Sequence, residues 1–220
     1  MLEKTFVTRL KQYYENEGYL VRREIGAGYG VSDLVLVNLD KPKCRLRKKN
    51  RQYDPLLKES YFNILKYIPD FQMDKKTKPV NTEFLSNATN ISISTIKYSL
   101  LKELLDLGYI KEEKRGYYFK INGWLPIAKD VIAIEAKMKN WKRGIYQAAR
   151  YRSFADQVYL AVPPEIEHLI DKKLLKKVNV GLLVFDPEKE TNKNSLPSQI
   201  LNPTYREKRN FVSEFFWQLV

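Results

Sequence analysis

Glu135 and Lys137 stand two residues apart at the end of the run Val131-Ile132-Ala133-Ile134-Glu135-Ala136-Lys137. Side chains alternate along a strand with period two, so these two project to the same side. Four aliphatic residues in succession predict a strand buried on both faces. A carboxylate and an ammonium at the end of such a strand are costly unless paired or put to use. A structural ion pair meets that condition, and so does a reaction site. Asp33 begins a second apolar run, Ser32-Asp33-Leu34-Val35-Leu36-Val37. On neighbouring strands, Asp33 and Glu135 would bring two carboxylates together. A hard divalent cation such as Mg²⁺, or Mn²⁺ in its place, keeps its waters and needs little more than that. Lys137 would then stabilise or orient an attacking hydroxide, the chemistry of metal-assisted hydrolysis.

Downstream, Gln147, Arg150 and Tyr151 share one face of an expected helix. An Asp before one strand, Glu-x-Lys on the next and a helix carrying Gln resemble, in that order, the PD-(D/E)XK nuclease superfamily. Restriction endonucleases and Holliday-junction resolvases share this core. The resemblance covers residues 1–38 and 130–186 and rests on motif order and strand context. It implies an α/β fold, a restriction-endonuclease-like mixed sheet flanked by helices, and Mg²⁺-dependent hydrolysis of DNA phosphodiesters. Asp33, Glu135 and the main-chain carbonyl of Ala136 would hold the ion, and Lys137 would act on the water. Gln147 would support the site from its helix, and Glu3 matches a position where many members keep an acid. Ser32 departs from the family pattern, which has proline before the first aspartate.

The composition favours a polyanionic partner. A formal net charge of +13 and a pI near 9.6 point to nucleic acid, with an anionic membrane surface as the weaker fit. Cys44 is the single cysteine, so no intramolecular disulfide and no thiolate zinc cluster can form. His168 is the single histidine, which argues against histidine-rich metal chemistry and a Ser-His-Asp triad. No apolar run approaches the roughly 18 residues of a membrane span, and residues 1–6 hold no signal core. A cytoplasmic protein is expected.

The order of elements predicts a discontinuous first domain, residues 1–40 and 123–220, and a second domain over residues 54–122. In the first, residues 2–17 read as an amphipathic helix closed by Gly18, followed by strands and by a glycine-rich turn at residues 26–30. That turn serves as a hairpin loop or also as a contact to a DNA backbone. A helix over 163–177, a loop over 187–203 and a final helix over 205–219 complete the domain. In the second, a helix over 55–68 capped by Asp54, a short helix over 81–89, a third helix and a hairpin over 111–120 look like a winged helix-turn-helix module. Such modules bind DNA or dock proteins. Its exposed Ser94, Thr95, Lys97 and Tyr98, with Arg115 at the wing tip, would meet phosphates and base edges.

Residues 41–53 are expected as a basic linker between the domains. Seven basic residues and no acid lie in 41–51, among them Lys43, Arg45, Arg47, Lys48, Lys49 and Arg51. A solvated linker explains their polarity, and an arm contacting phosphates explains their single sign. Lys142, Arg143 and Arg150 would extend the basic surface. The motif set occurs once per chain, so cutting both strands would require a homodimer or a partner subunit. The competing reading from another class is a non-catalytic DNA-binding regulator on a nuclease-like scaffold.

Overall fold

The computed structural model describes residues 1–27, 30–71, 77–121 and 126–220. Gly28 and Tyr29 of the glycine-rich turn and residues 122–125 lie outside them. The chain divides into two compact units, residues 1–39 with 128–219 and residues 40–127 with Val220.

The first unit opens with helix α1 (Glu3–Asn16) and strands β1 (Leu20–Gly26) and β2 (Val31–Leu39). Helix α1 buries Phe6, Val7 and Leu10, and Gly18 follows it with φ +89°, the left-handed backbone of a helix C′ position. The chain then builds the second unit: α2 (Lys41–Lys49), α3 (Glu59–Leu65), β3 (Val80–Asn81) and α4 (Thr82–Thr89). A longer helix follows as α5 (Ile93–Thr95), a π-helical turn at Ile96–Leu101 and α6 (Lys102–Asp106). The hairpin β4 (Ile110–Lys114) and β5 (Tyr117–Lys120) ends the unit, with Gly116 at φ +79° in its turn.

The first unit resumes with β6 (Ala128–Ala136), α7 (Trp141–Arg150), β7 (Gln157–Val162) and α8 (Lys172–Lys177). Strands β8 (Gly181–Asp186) and β9 (Thr191–Leu196) and helix α9 (Arg206–Glu214) complete it. Its mixed sheet has the order β1-β2-β6-β7-β8-β9, parallel between β6 and β8 and antiparallel elsewhere. Helix α1 covers one face, where Phe6, Val7 and Leu10 meet Leu34, Leu36, Ile134 and Phe185. Helices α7 and α9 cover the other, where Ile145, Ala148, Val212 and Phe216 meet Val35, Val37, Val131 and Ala133. In the second unit, β3, β5 and β4 form a three-stranded antiparallel sheet in that order.

Four expectations are corrected. Residues 41–49 form a helix, not a linker: Asp40 caps it by accepting the Lys43 N–H at 3.1 Å, Pro42 suits its first turn, and Cys44 and Arg47 are buried one turn apart. Helix α3 begins only at Glu59, because the backbone is still extended at Lys58, while the Asp54 carbonyl accepts the Tyr109 hydroxyl at 2.8 Å. The helix expected over 163–177 is a 3₁₀ turn, Pro164–Leu169, and then α8, restarted by Asp171 accepting the N–H groups of Lys173 and Leu174. The expected loop over 187–203 contains β9, a polar edge strand held by backbone pairing with β8. Among the described residues no helix is long and apolar enough to cross a membrane.

Candidate active site

The antiparallel register of β2 and β6 pairs Leu34 with Ile134. Extended by one residue, it sets Asp33 opposite Glu135, and partners across an antiparallel pair share a face with Cβ atoms about 4.5–5.5 Å apart. That face is the one covered by α7. Asp33 Oδ2 accepts the Ala136 N–H at 2.8 Å, which ties the aspartate to the end of β6. Glu135 is 2% exposed, and its Oε1 pairs with Lys137 Nζ at 2.8 Å. Its Oε2 is met by the Tyr151 hydroxyl, which also lies 2.8 Å from the Val31 carbonyl. One phenolic proton serves one acceptor at a time, so a proton on Glu135 would satisfy both contacts.

The electrostatics agree with that crowding. Burial holds the Glu135 carboxyl above its ordinary value, against the lowering effect of its bonds to Lys137 and Tyr151, and the nearby Asp33 charge adds to the rise. Burial likewise raises Asp33, with the Ala136 N–H and Lys137 working in the other direction. Burial acts to lower Lys137, but the bond to Glu135 and the charges of Glu135, Asp33 and Glu3 raise it overall. Burial and Glu135 push the Tyr151 hydroxyl well up, so it stays protonated as a donor.

Glu3 reaches the same strand end from α1. Its Oε1 lies 3.4 Å from Lys137 Nζ and its Oε2 3.4 Å from the Met138 N–H. Gln147 comes from α7, and its Oε1 is buried without a hydrogen-bond partner. Glu3, Lys137, Lys139, Asn140, Arg143 and Gln147 line a hollow of about 290 Å³. All the residues expected to do chemistry thus meet at one end of the sheet.

Two further residues shape this end of the sheet without a sequence signal for it. Spacing sets Tyr151 on the Gln147 face, and only the fold brings its hydroxyl to Glu135. Gly144 gave no signal at all: a Cβ there would sit 2.7 Å from Lys137 Cγ and 2.8 Å from Leu160 Cδ1. The absent side chain lets α7 rest against the lysine stem.

The donor set suits a hard cation. Among the described residues no three His, Cys, Asp or Glu side chains come together to hold an ion. An ion would rest instead on Asp33, Glu135, the Ala136 carbonyl and its own waters, as Mg²⁺ tolerates. An extended residue directs its N–H and C=O to the same neighbour, so the Ala136 carbonyl shares the β6 edge that faces Asp33. Two desolvated carboxylates at the strand ends are surroundings a divalent cation would relieve, and the unpaired Gln147 oxygen on α7 lines the hollow that also holds Lys137.

The expected nucleic-acid contacts divide. Arg47 is corrected: it is fully buried, donates from Nε to the Tyr109 hydroxyl at 3.1 Å and from Nη2 to the Asp54 carbonyl at 3.4 Å, and cannot reach a phosphate. Lys43 pairs with Asp40 at 3.2 Å, while Arg45, Lys48, Lys49 and Arg51 are exposed. Ser94, Thr95, Lys97 and Tyr98 are all exposed. The Ser94 and Thr95 hydroxyls are within 3.1 and 2.8 Å of Ser92 Oγ, the cap of α5. Lys97, Tyr98 and Arg115 line a hollow of about 890 Å³ between this helix and the hairpin. Lys142, Arg143 and Arg150 are exposed on α7.

Comparison with family models, curated proteins and solved structures gives no match.

Proposed function

We propose that this chain is a Mg²⁺-dependent deoxyribonuclease that hydrolyses phosphodiester bonds in duplex or branched DNA. Its first unit serves as a restriction-endonuclease-like core and its second as an inserted winged helix that binds DNA. The observation that carries the reading is the junction of Asp33, Glu135 and Lys137 at the ends of paired strands, with Lys137 2.8 Å from Glu135 and Asp33 bonded to the Ala136 N–H. The ion, held by the two carboxylates and the Ala136 carbonyl, would neutralise developing charge and lower the pKa of a bound water. Lys137 would leave Glu135 and turn its ammonium to the attacking oxygen. Tyr151 would hold the freed carboxylate by its hydroxyl, and Gln147 would supply its unpaired oxygen to the hollow. The exposed cations of α2 and α7, with Lys97 on the π-helical turn, would hold DNA mainly through phosphates. Cleavage of both strands would use a second copy or a partner subunit.

Cleavage of supercoiled, linear, branched and single-stranded DNA by the full chain, with Mg²⁺ and with Mn²⁺, tests this directly. Metal-dependent products that vanish in Asp33→Ala and Glu135→Ala are expected. DNA binding without such products would leave the regulator in its place.

Gly144→Ala offers a subtler check. The added methyl must displace the Lys137 stem and the Leu160 tip, while alanine favours the helix by about 1 kcal/mol. Cleavage is expected to fall about 10- to 100-fold, the scale for groups that orient a site. The melting temperature should move little. Unchanged cleavage would mean that the lysine stem has no fixed place in the reaction.

A further inference from the structure

Helix α7 presents two adjacent rows of side chains. With 3.6 residues per turn, residues four apart follow one another along a slanted row. Arg143, Gln147 and Tyr151 form the row that enters the site, from solvent to the Glu135 carboxylate. Lys142, Tyr146 and Arg150 form the next row, and all three are exposed. Helix α7, with the sequence WKRGIYQAAR, holds no acidic residue. Near its start, Asn140, Trp141, Lys142 and Arg143 line a second hollow of about 470 Å³. Asn140 and Arg143 line both hollows, so the second adjoins the one holding Lys137 and Gln147.

Phosphates need only cations, and the basic residues of this row would suffice for a duplex backbone. Tyr146 is 58% exposed, while the core face of α7 is made by Gly144, Ile145 and Ala148. An open aromatic ring between two cations offers a flat face to a nucleobase. A duplex hides its base faces inside the stack, whereas a single strand can turn them outward onto such a ring.

Resting on the phosphodiesterase reading of the Asp33–Glu135–Lys137 site, we propose that α7 receives an unpaired DNA strand. One base stacks on Tyr146, flanking phosphates lie on Lys142 and Arg150, and Arg143 passes the strand to the site. The Trp141 hollow gives a neighbouring base a second aromatic wall. The preferred substrate is then DNA with an unpaired segment beside the cut, such as a flap, a gap or a single strand.

Binding of the full chain to a labelled oligothymidylate and to a labelled hairpin duplex, measured by anisotropy in EDTA, tests this without any chemistry. Tyr146→Ala is expected to weaken single-strand binding about 5- to 150-fold, the equivalent of 1–3 kcal/mol for one stacked base. Duplex binding should change less than about twofold. Tyr146→Phe should bind as wild type, because stacking needs no hydroxyl. Lys142→Ala and Arg150→Ala should each lower the single-strand salt slope by roughly 0.7. Equal loss on both ligands, no loss on either, or a Tyr146→Phe defect as deep as that of alanine would overturn the inference. If wild-type protein cleaves but Tyr146→Ala binds normally, the α7 track alone fails. If the single-strand loss appears while no metal-dependent cleavage is found, the catalytic reading fails and the track remains.

Discussion

Asp33→Asn is expected to abolish Mg²⁺-dependent cleavage and at the same time to stabilise the metal-free protein at neutral pH. Asparagine keeps an oxygen to accept the Ala136 N–H, but carries no charge into a desolvated position facing Glu135. The loss of activity should be at least about 10²–10³-fold, the scale of removing one electrostatic stabiliser. The stability effect has a definite sign. Burial raises the Asp33 pKa in the folded state, so wild-type protein loses stability as pH rises through that value. The variant has no such loss. Its advantage should vanish below the unfolded carboxylate value of about 3.9 and grow as pH rises above it. Mg²⁺ should reverse the order, because an ion bound only by the folded wild type raises its stability by mass action. Thermal melting across pH, with and without Mg²⁺, reads all of this independently of cleavage. An Asp33→Asn protein shifted equally by the metal would mean that Asp33 is not a ligand, and one less stable than wild type in EDTA would mean that the Asp33 charge stabilises the fold.

Lys137→Met should be the most damaging single change at the site. It removes the cation 2.8 Å from a carboxylate that is 2% exposed, leaving Glu135 with Tyr151 as its remaining side-chain donor. Breaking one side of a buried pair costs about 3 kcal/mol or more. Glu135 would respond by holding its proton to still higher pH, so the deficit should shrink under acid and be largest at neutral pH. Glu135→Gln added to Lys137→Met removes the stranded charge and should recover most of the stability, but none of the cleavage. Mg²⁺ should narrow the deficit of the single variant by taking over as counter-ion. Urea unfolding of the single and double variants at acidic and neutral pH measures the coupling. Additive effects would show that Lys137 and Glu135 do not act as a pair.

Short-range patterns carried much of the first unit. The aliphatic runs of β2 and β6 are legible because strands buried on both faces leave no room for polar residues, and the ends of those runs mark Asp33 and Glu135. The same-side spacing of Glu135 and Lys137 follows from strand geometry, and Gly18 marks its helix end because left-handed backbone favours glycine. A mixed α/β architecture follows from the order of these segments.

Partners far along the chain decided the rest. Arg47 looks like a phosphate contact in a basic run, but a tyrosine 62 residues away draws it into the interior. The same tyrosine donates to the Asp54 carbonyl, and the helix expected from Asp54 begins only after the extended Lys58. Strand β9 has no apolar alternation to announce it, because an exposed edge strand needs only the backbone of β8. At the site, residue types and strand spacing marked Asp33, Glu135 and Lys137, and the resemblance added Glu3 and Gln147. Only the folded chain sets Asp33 on the Ala136 N–H, brings the Tyr151 hydroxyl to Glu135 and rests Gly144 on the Lys137 stem. Periodicity is local and can be read from neighbours in sequence, whereas burial, pairing and close approach depend on what the rest of the chain packs against each residue.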